Sequence, residues 1–245
     1  LPPMRAMDVR TGDVIQLVEP PDISSLASDA AGHRQTAVEV NSFPANVNDH
    51  DLPGVTISPD GALTVPIGIE SVDLGCASLI LRPSQHALVV AAPGMGRTSA
   101  TELVACQLAR AEHPVAVLTV SQSSSVDSIL AQVDAEEPTV VIVDDAESLP
   151  PQLAAAMDHV IEHNNPHVRI VATVRPDGAR SMRSWVARIR SGGTGILLGG
   201  AATDGDIFRV RLAPLNGSGT VPGRGYLIDR GRATPVQLAV ANAGD

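Results

Sequence analysis

The chain has 245 residues, 44% of them apolar and 18% charged, the balance of a globular protein long enough to bury a sizeable core. Its net charge of -10 opposes polyanions, so nucleic acid and anionic membrane are disfavoured partners unless arginines gather in one patch. Two cysteines cannot build a disulfide framework, and no run approaches the roughly 20 apolar residues that cross a bilayer. With no signal peptide visible, a cytoplasmic location with no direct membrane contact is the expectation.

All 17 basic residues are arginine, and aromatics make up only 2%. The core must therefore be built of Ala, Val, Leu and Ile, as in a parallel sheet covered by helices.

In chain order, residues 1–20 read as a strand pair, AMDVRTGDVIQLV, turning at Gly12-Asp13. Residues 21–53 read as a linker rich in Pro, Ser, Ala and Asp, with apolar Val38, Val40 and Phe43 that could cover a neighbouring surface. VTISPDGALTVPIGI is a hairpin turning at Pro59-Asp60-Gly61. The pattern then changes to strands alternating with helices. HALVVAA is a strand, TSATELVACQLARA a helix, VAVLTV a strand and SSVDSILAQV a helix. TVVIVDD follows as a strand ending in two acids, then PQLAAAMDHVIEH as a helix stopped by Asn164, Asn165 and Pro166. VRIVATV is a strand, ARSMRSWVARIR a helix and TGILL a strand. This alternation predicts a mainly parallel sheet with helices on both faces, flanked by N- and C-terminal hairpins. The two ends also repeat: PPMRAMDVRTGDVIQLV and VPGRGYLIDRGRATPVQLAV both run Pro-x-Arg, strand, Gly, strand, Gln-Leu. Two unrelated hairpins would give this by chance. The alternative is that each closes the same kind of domain.

AAPGMGRTSA lies between a strand and a helix, where a phosphate loop belongs. Such a loop uses backbone N–H groups, a Lys and a Ser or Thr hydroxyl to hold phosphates and Mg²⁺. Here Gly94, Gly96, Arg97, Thr98 and Ser99 are the candidate nucleotide-binding residues. Ala91 replaces the first glycine and Arg97 replaces the lysine. Arginine keeps the charge, but its planar fork does not fit the compact site of an ammonium, and Ala91 restricts torsions that glycine would allow. Weak ATP binding, and slower hydrolysis still, are expected. Downstream, Asp144 and Asp145 end an apolar strand. They are the candidate catalytic acids, with Thr98 and Asp144 the candidate Mg²⁺ ligands. The plainer reading of the two acids is a turn that caps the next helix.

Arg175, Arg188 and Arg190 are the candidate interface arginines, completing a neighbour's site in a ring; a solvated helix face explains them equally well. HVIEH, His159 to His163, matches an inverted zinc-protease pattern but lacks a downstream Glu as third ligand.

Taken together, AAPGMGRTSA, VVIVDDAE, VRIVATVRPDGARSMRSWVARIRSGGTGILLGG and VPGRGYLIDRGRATPVQLA resemble the FtsK/SpoIIIE-type motor ATPases, most of all the C-terminal ATPase modules of the EccC-type secretion ATPases. The resemblance covers roughly residues 54–240, with residues 1–20 matching the end of a preceding module. It implies a RecA-like P-loop fold over residues 54–245, on the cytosolic part of a membrane-anchored chain of several such modules. Later modules in that family often have degraded nucleotide sites, and one docks the C-terminal signal of a secreted substrate. The expectation is therefore a degenerate module for recognition and regulation, with a hexameric ring as a further assembly. An active ring-forming translocase of protein or DNA is the alternative.

Overall fold

The structure is a computed structural model that describes residues 5–7, 14–16, 44, 46–71, 74–133, 136–181, 184–200, 202–215 and 221–241. The linker residues 21–43, with Val38, Val40 and Phe43, lie outside the described residues. The chain forms two compact units, Leu1–Val40 and Asn41–Asp245.

In the first unit, β1 (Arg5–Met7) pairs antiparallel with β2 (Val14–Gln16), with Arg5 opposite Gln16.

The second unit is built on one ten-stranded sheet. It begins with β3 (Thr56–Ile57), β4 (Leu63–Glu70) and β5 (Cys76–Leu81). The alternating core then runs β6 (Ala87–Ala91), α1 (Arg97–Ala109), β7 (Ala116–Val120), α2 (Val126–Val133), β8 (Thr139–Val143), α3 (Pro151–His163) and β9 (Val168–Val174). A short α4 (Pro176–Ala179), α5 (Trp185–Ser191) and β10 (Thr194–Leu198) follow, and β11 (Arg224–Asp229) and β12 (Arg232–Leu238) close the unit. The order across the sheet is β3-β4-β12-β11-β10-β6-β9-β8-β7, with β5 on the other edge of β4. Strands β10, β6, β9, β8 and β7 are parallel neighbours. The remaining pairings in this sheet are antiparallel, so β3, β4 and β5 and the β11–β12 hairpin extend the parallel core.

Strands β6, β8, β9 and β10 are buried along their whole length, as expected of a sheet covered on both faces. Alternate residues serve two cores. Leu88 and Val90 meet Leu153, Met157 and Trp185 of α3 and α5 on one face. Ala87, Val89 and Ala91 meet Ala100, Leu103 and Val104 of α1 on the other. Each fully buried Leu or Val in these layers stabilises the fold by about 1.5–3 kcal/mol.

Two elements differ from the sequence reading. Strand β5 was not anticipated, although Ala77, Leu79 and Leu81 alternate inward and pack with Leu63, Val65 and Ile67 of β4. The helix expected across residues 179–190 is broken. Pro176 begins a single turn ending at Ala179, and Ser184 restarts the chain in extended geometry before Trp185.

Residues 46–52 pack onto the same unit. Val47 is buried, Val240 N–H donates to its carbonyl at 2.8 Å, and buried Asp49 meets Arg110 at 2.9 Å.

Candidate functional site

Parallel strands in register bring their C-terminal ends to one edge of the sheet. Three connections meet there: residues 92–96 after β6, 144–148 after β8, and Arg175 after β9. Because β9 lies between β6 and β8, its last residues stand between the glycine loop and the acids.

The loop keeps its shape through glycine. Gly94 has φ +79° and Gly96 has φ +97°, backbone that side chains rarely adopt. Met95 N–H donates to Ala92 O at 3.2 Å. Gly96 is the N-cap of α1 and no side chain caps that end, so the dipole and the first N–H groups face outward, with Thr98 and Ser99 exposed on the first turn. Ala91 behaves differently from the expectation. It is the last residue of β6, fully buried and paired with Leu198, so its backbone is extended and needs none of the freedom that glycine would add.

Thr98 and the acids are brought together. Thr98 Oγ1 donates to Asp144 Oδ2 at 2.9 Å, and Thr173 Oγ1 donates to Asp144 Oδ1. Thr173 Oγ1 in turn accepts the Asp145 N–H at 2.9 Å. Asp145 sits at φ +51°, a left-handed backbone that this bond helps to hold. The Thr98 hydroxyl and the Asp144 carboxylate are the hard oxygen donors that Mg²⁺ takes, so the residues present fit that ion.

Arg97 reaches toward the acids. Its Nη1 lies 2.7 Å from Asp145 Oδ1 and donates to Glu147 Oε1 at 3.3 Å, and its side chain is only 11% exposed. The Asp145 contact pairs charges without hydrogen-bond geometry, leaving Asp145 Oδ1 buried with no hydrogen-bond partner. Glu147 Oε1 also accepts the Arg175 backbone N–H at 3.2 Å and lies 3.4 Å from Arg175 Nε. One carboxylate thus ties together the ends of β8 and β9 and the first residue of α1.

Glu147 and Thr173 are site residues that sequence reasoning missed. Glu147 was visible as the last letter of VVIVDDAE, and Thr173 is the one hydroxyl in the strand VRIVATV. Of the candidate interface arginines, only Arg175 stands at the site. Arg188 pairs with Glu162 at 2.8 Å and Asp158 at 3.5 Å on α3, and Arg190 donates to the Ala179 carbonyl. His159 and His163 stack with ring centroids 6.2 Å apart, and among the described residues no group of three His, Cys, Asp or Glu could hold a metal. Among the described residues, no helix is long and apolar enough to cross a membrane.

The terminal hairpin reaches the loop from the other side. Gly223 N–H donates to Met95 O at 3.1 Å, and Leu238 N–H to Gly223 O at 2.8 Å. Gln237, 3% exposed, donates to Pro222 O at 3.2 Å and accepts from Arg224 Nε at 3.1 Å. The Pro-Gly-Arg-Gly and Gln-Leu letters that mark the sequence ending therefore touch one another and the loop.

No family model and no curated protein sequence matches the chain. Solved structures do. The cytoplasmic domain of the type VII secretion ATPase EccC of Thermomonospora curvata matches with a TM-score of 0.63 and 18% identity, over 83% of this chain and 29% of that one. ATPases 2 and 3 of the same organism's EccC, in complex with a signal sequence peptide, match with a TM-score of 0.62 and 16% identity, over 83% and 45% of the two chains. The cytoplasmic domain of EssC matches with a TM-score of 0.60 and 12% identity, over 97% and 58%. The chain spans less than two thirds of each of these. It has the P-loop ATPase fold seen in the EccC and EssC ATPase domains.

Proposed function

We propose that this chain carries an ATPase-like module of a type VII secretion motor, with a degenerate nucleotide site, that serves secreted-substrate recognition and regulation of the motor. The observation that carries the reading is the place of Arg97. It stands where a phosphate loop puts its lysine, yet its charge is engaged by Asp145 at 2.7 Å and Glu147 at 3.3 Å. A triphosphate would have to compete with two carboxylates for the one cation of the loop, and a planar guanidinium is a poor replacement for the ammonium once freed. ATP and Mg²⁺ bind weakly on this reading. When the nucleotide is present, Thr98 and Asp144 hold the cation, which offsets phosphate charge, while the N–H groups at the start of α1 face the phosphates.

A signal sequence peptide is bound by EccC ATPases 2 and 3; on this reading the C-terminal signal of a secreted protein is the ligand here as well. The hairpins support a tandem arrangement: Arg5 pairs opposite Gln16 just as Arg224 pairs opposite Gln237. Residues 1–20 are then the closing hairpin of a preceding module, residues 21–53 a linker and residues 54–245 the ATPase domain, on the cytosolic part of a membrane-anchored chain. The test is steady-state ATP turnover beside binding of secreted-substrate C-terminal peptides. Peptide binding with negligible turnover supports the proposal; turnover at the 1–100 per second of working phosphoryl-transfer enzymes, without peptide binding, refutes it.

A second reading is an active ring-forming translocase, with protein or DNA as substrate. It is favoured by the intact Thr98–Asp144–Thr173 network, which puts a hydroxyl and a carboxylate where a hydrolytic site needs them. It predicts specific activity that rises with protein concentration as Arg175, Arg188 or Arg190 of one subunit completes the site of the next, and that is abolished by Asp144→Ala.

A further inference from the structure

We infer that the closing hairpin is a working part of the phosphate loop: Gly223, locked in place by Gln237, holds the loop in the shape that receives phosphates. The inference rests on the reading that residues 92–98 take the phosphates of a nucleotide. It assigns Gly223 and Gln237, far away in sequence, as positioning residues.

A loop of this kind is weakly determined by its own sequence. Gly94 and Gly96 both sit at positive φ, and nothing lies within 4 Å of where a Cβ on Gly94 would stand. Something outside the loop must select its conformation, because two glycines lose much backbone entropy on ordering. The hairpin supplies that constraint at Met95. The Met95 carbonyl accepts the Gly223 N–H at 3.1 Å. A carbonyl left free beside the phosphates would repel them; this one is committed to the hairpin. The Met95 side chain lies against Gly199, where a Cβ would fall 2.5 Å from its sulfur, and Gly199 N–H donates to Arg224 O at 2.8 Å. Met95 is thus gripped through its carbonyl and through its side chain, both by parts of the β10–β11–β12 ladder.

Gly223 can donate there only because its own backbone is held at φ +75°. A Cβ on it would meet Gln237 Nε2 at 3.2 Å. Gln237 fixes both sides of this residue, donating to Pro222 O at 3.2 Å and accepting from Arg224 at 3.1 Å, while Leu238 N–H takes the Gly223 carbonyl at 2.8 Å. Gln237 belongs to β12, whose neighbours are β11 and β4, so the clamp is anchored in the sheet and not in another loop. A buried glutamine with both ends of its amide used is costly to keep unless its bonds matter, since an apolar side chain of that size would pack without them.

The test is amide hydrogen exchange on the full chain without nucleotide, comparing wild type with Gln237→Met. Methionine keeps the volume and removes the side-chain bonds to Pro222 O, Leu238 O and Arg224 Nε. Exchange in residues 92–98 and at Gly223 is expected to rise about tenfold, while exchange in α3 stays unchanged. Mg-ATP affinity, where wild type binds, should fall by about the same factor. A merely structural role would raise exchange throughout the unit or lower the melting temperature with no concentration at the loop. A folded Gln237→Met chain whose loop exchanges at the wild-type rate overturns the inference. If that variant does not fold, Arg224→Ala removes the contact to Gln237 Oε1 while leaving the Gln237–Pro222 bond, and should move loop exchange in the same direction by a smaller factor. In wild type itself the Gly223 amide should be as protected as that of Leu238; an unprotected Gly223 amide overturns the inference without any variant. Absence of Mg-ATP binding by wild type would count against the nucleotide reading and leave the exchange result to decide the clamp.

Discussion

Replacing Glu147 by Gln should tighten nucleotide binding, which is unusual for the removal of an acid from a site. Glu147 Oε1 receives three groups: Arg97 Nη1 at 3.3 Å, the Arg175 backbone N–H at 3.2 Å and Arg175 Nε at 3.4 Å. Glutamine retains an oxygen of the same placement, so the backbone bond between the ends of β8 and β9 survives and the fold should hold. What is lost is charge. A hydrogen bond to a charged group contributes about 1.5–3 kcal/mol. The Glu147 side chain is 24% exposed and the geometry with Arg97 is long, so screening reduces that value to roughly 1–2 kcal/mol. Arg97 then competes against Asp145 alone, and one negative charge no longer faces the incoming phosphates. The expected result is a gain of about 5–30-fold in Mg-ATP affinity, measured by calorimetry on the full chain. The gain should shrink in high salt, because part of it is charge repulsion near the surface. Unchanged or weaker binding by a folded Glu147→Gln chain would refute the argument that Arg97 is withheld from the phosphates by its carboxylate partners.

Three further outcomes follow from the same geometry. Gly96→Ala places a side chain at φ +97°, so unfolding free energy should fall by about 1–2 kcal/mol in urea titration, with nucleotide binding reduced as well. Leu103→Ala in α1, fully buried against the sheet, should destabilise the second unit by about 2–5 kcal/mol; a smaller loss would mean that the core around α1 is loosely packed. His86 gives a pH signature. Burial, with a smaller contribution from the nearby Arg169 guanidinium, lowers its pKa from 6.5 to about 4 in the folded chain. Above pH 6.5 the ring is neutral folded or unfolded and the fold keeps its full stability. As pH falls from 6.5 toward 4 the unfolded chain takes the proton first, and up to about 3 kcal/mol is lost. His86→Asn keeps an acceptor for the Ile170 N–H, seen at 3.1 Å from Nδ1, and should flatten this slope in denaturant titrations at pH 7 and pH 4.5.

Much of the fold was legible because its parts follow strong local rules. α3 begins at Pro151 and ends at His163 before Asn164 at φ +52°, the boundaries that Pro and Asn announce. β9 is an unbroken buried run, and so is β8. Residues 179–190 read as one helix because Ala, Met and Arg carry helical preference; burial of Trp185, at 3% exposure, as the first residue of α5 after the extended Ser184 outweighs it. At the site, Thr98 and Asp144 were legible because the loop and the acid strand have fixed spacing to the sheet. Glu147 was not, since nothing local tells that it joins Asp145 in turning toward Arg97. Thr173 was hidden inside an apolar strand, and its role depends on β9 lying between β6 and β8, an order that sequence does not state. Ala91 was read as a restriction on the loop, whereas register with Leu198 makes it part of the strand.

The most direct test of the central claim is a calorimetric titration of the wild-type chain with Mg-ATP, with Arg97→Lys alongside. The account predicts binding weaker than roughly 100 μM for wild type, about −5.5 kcal/mol or less favourable, and a tighter fit once lysine restores a compact cation. Low-micromolar binding by wild type, unimproved by lysine, would contradict a degenerate site and put the working motor in its place.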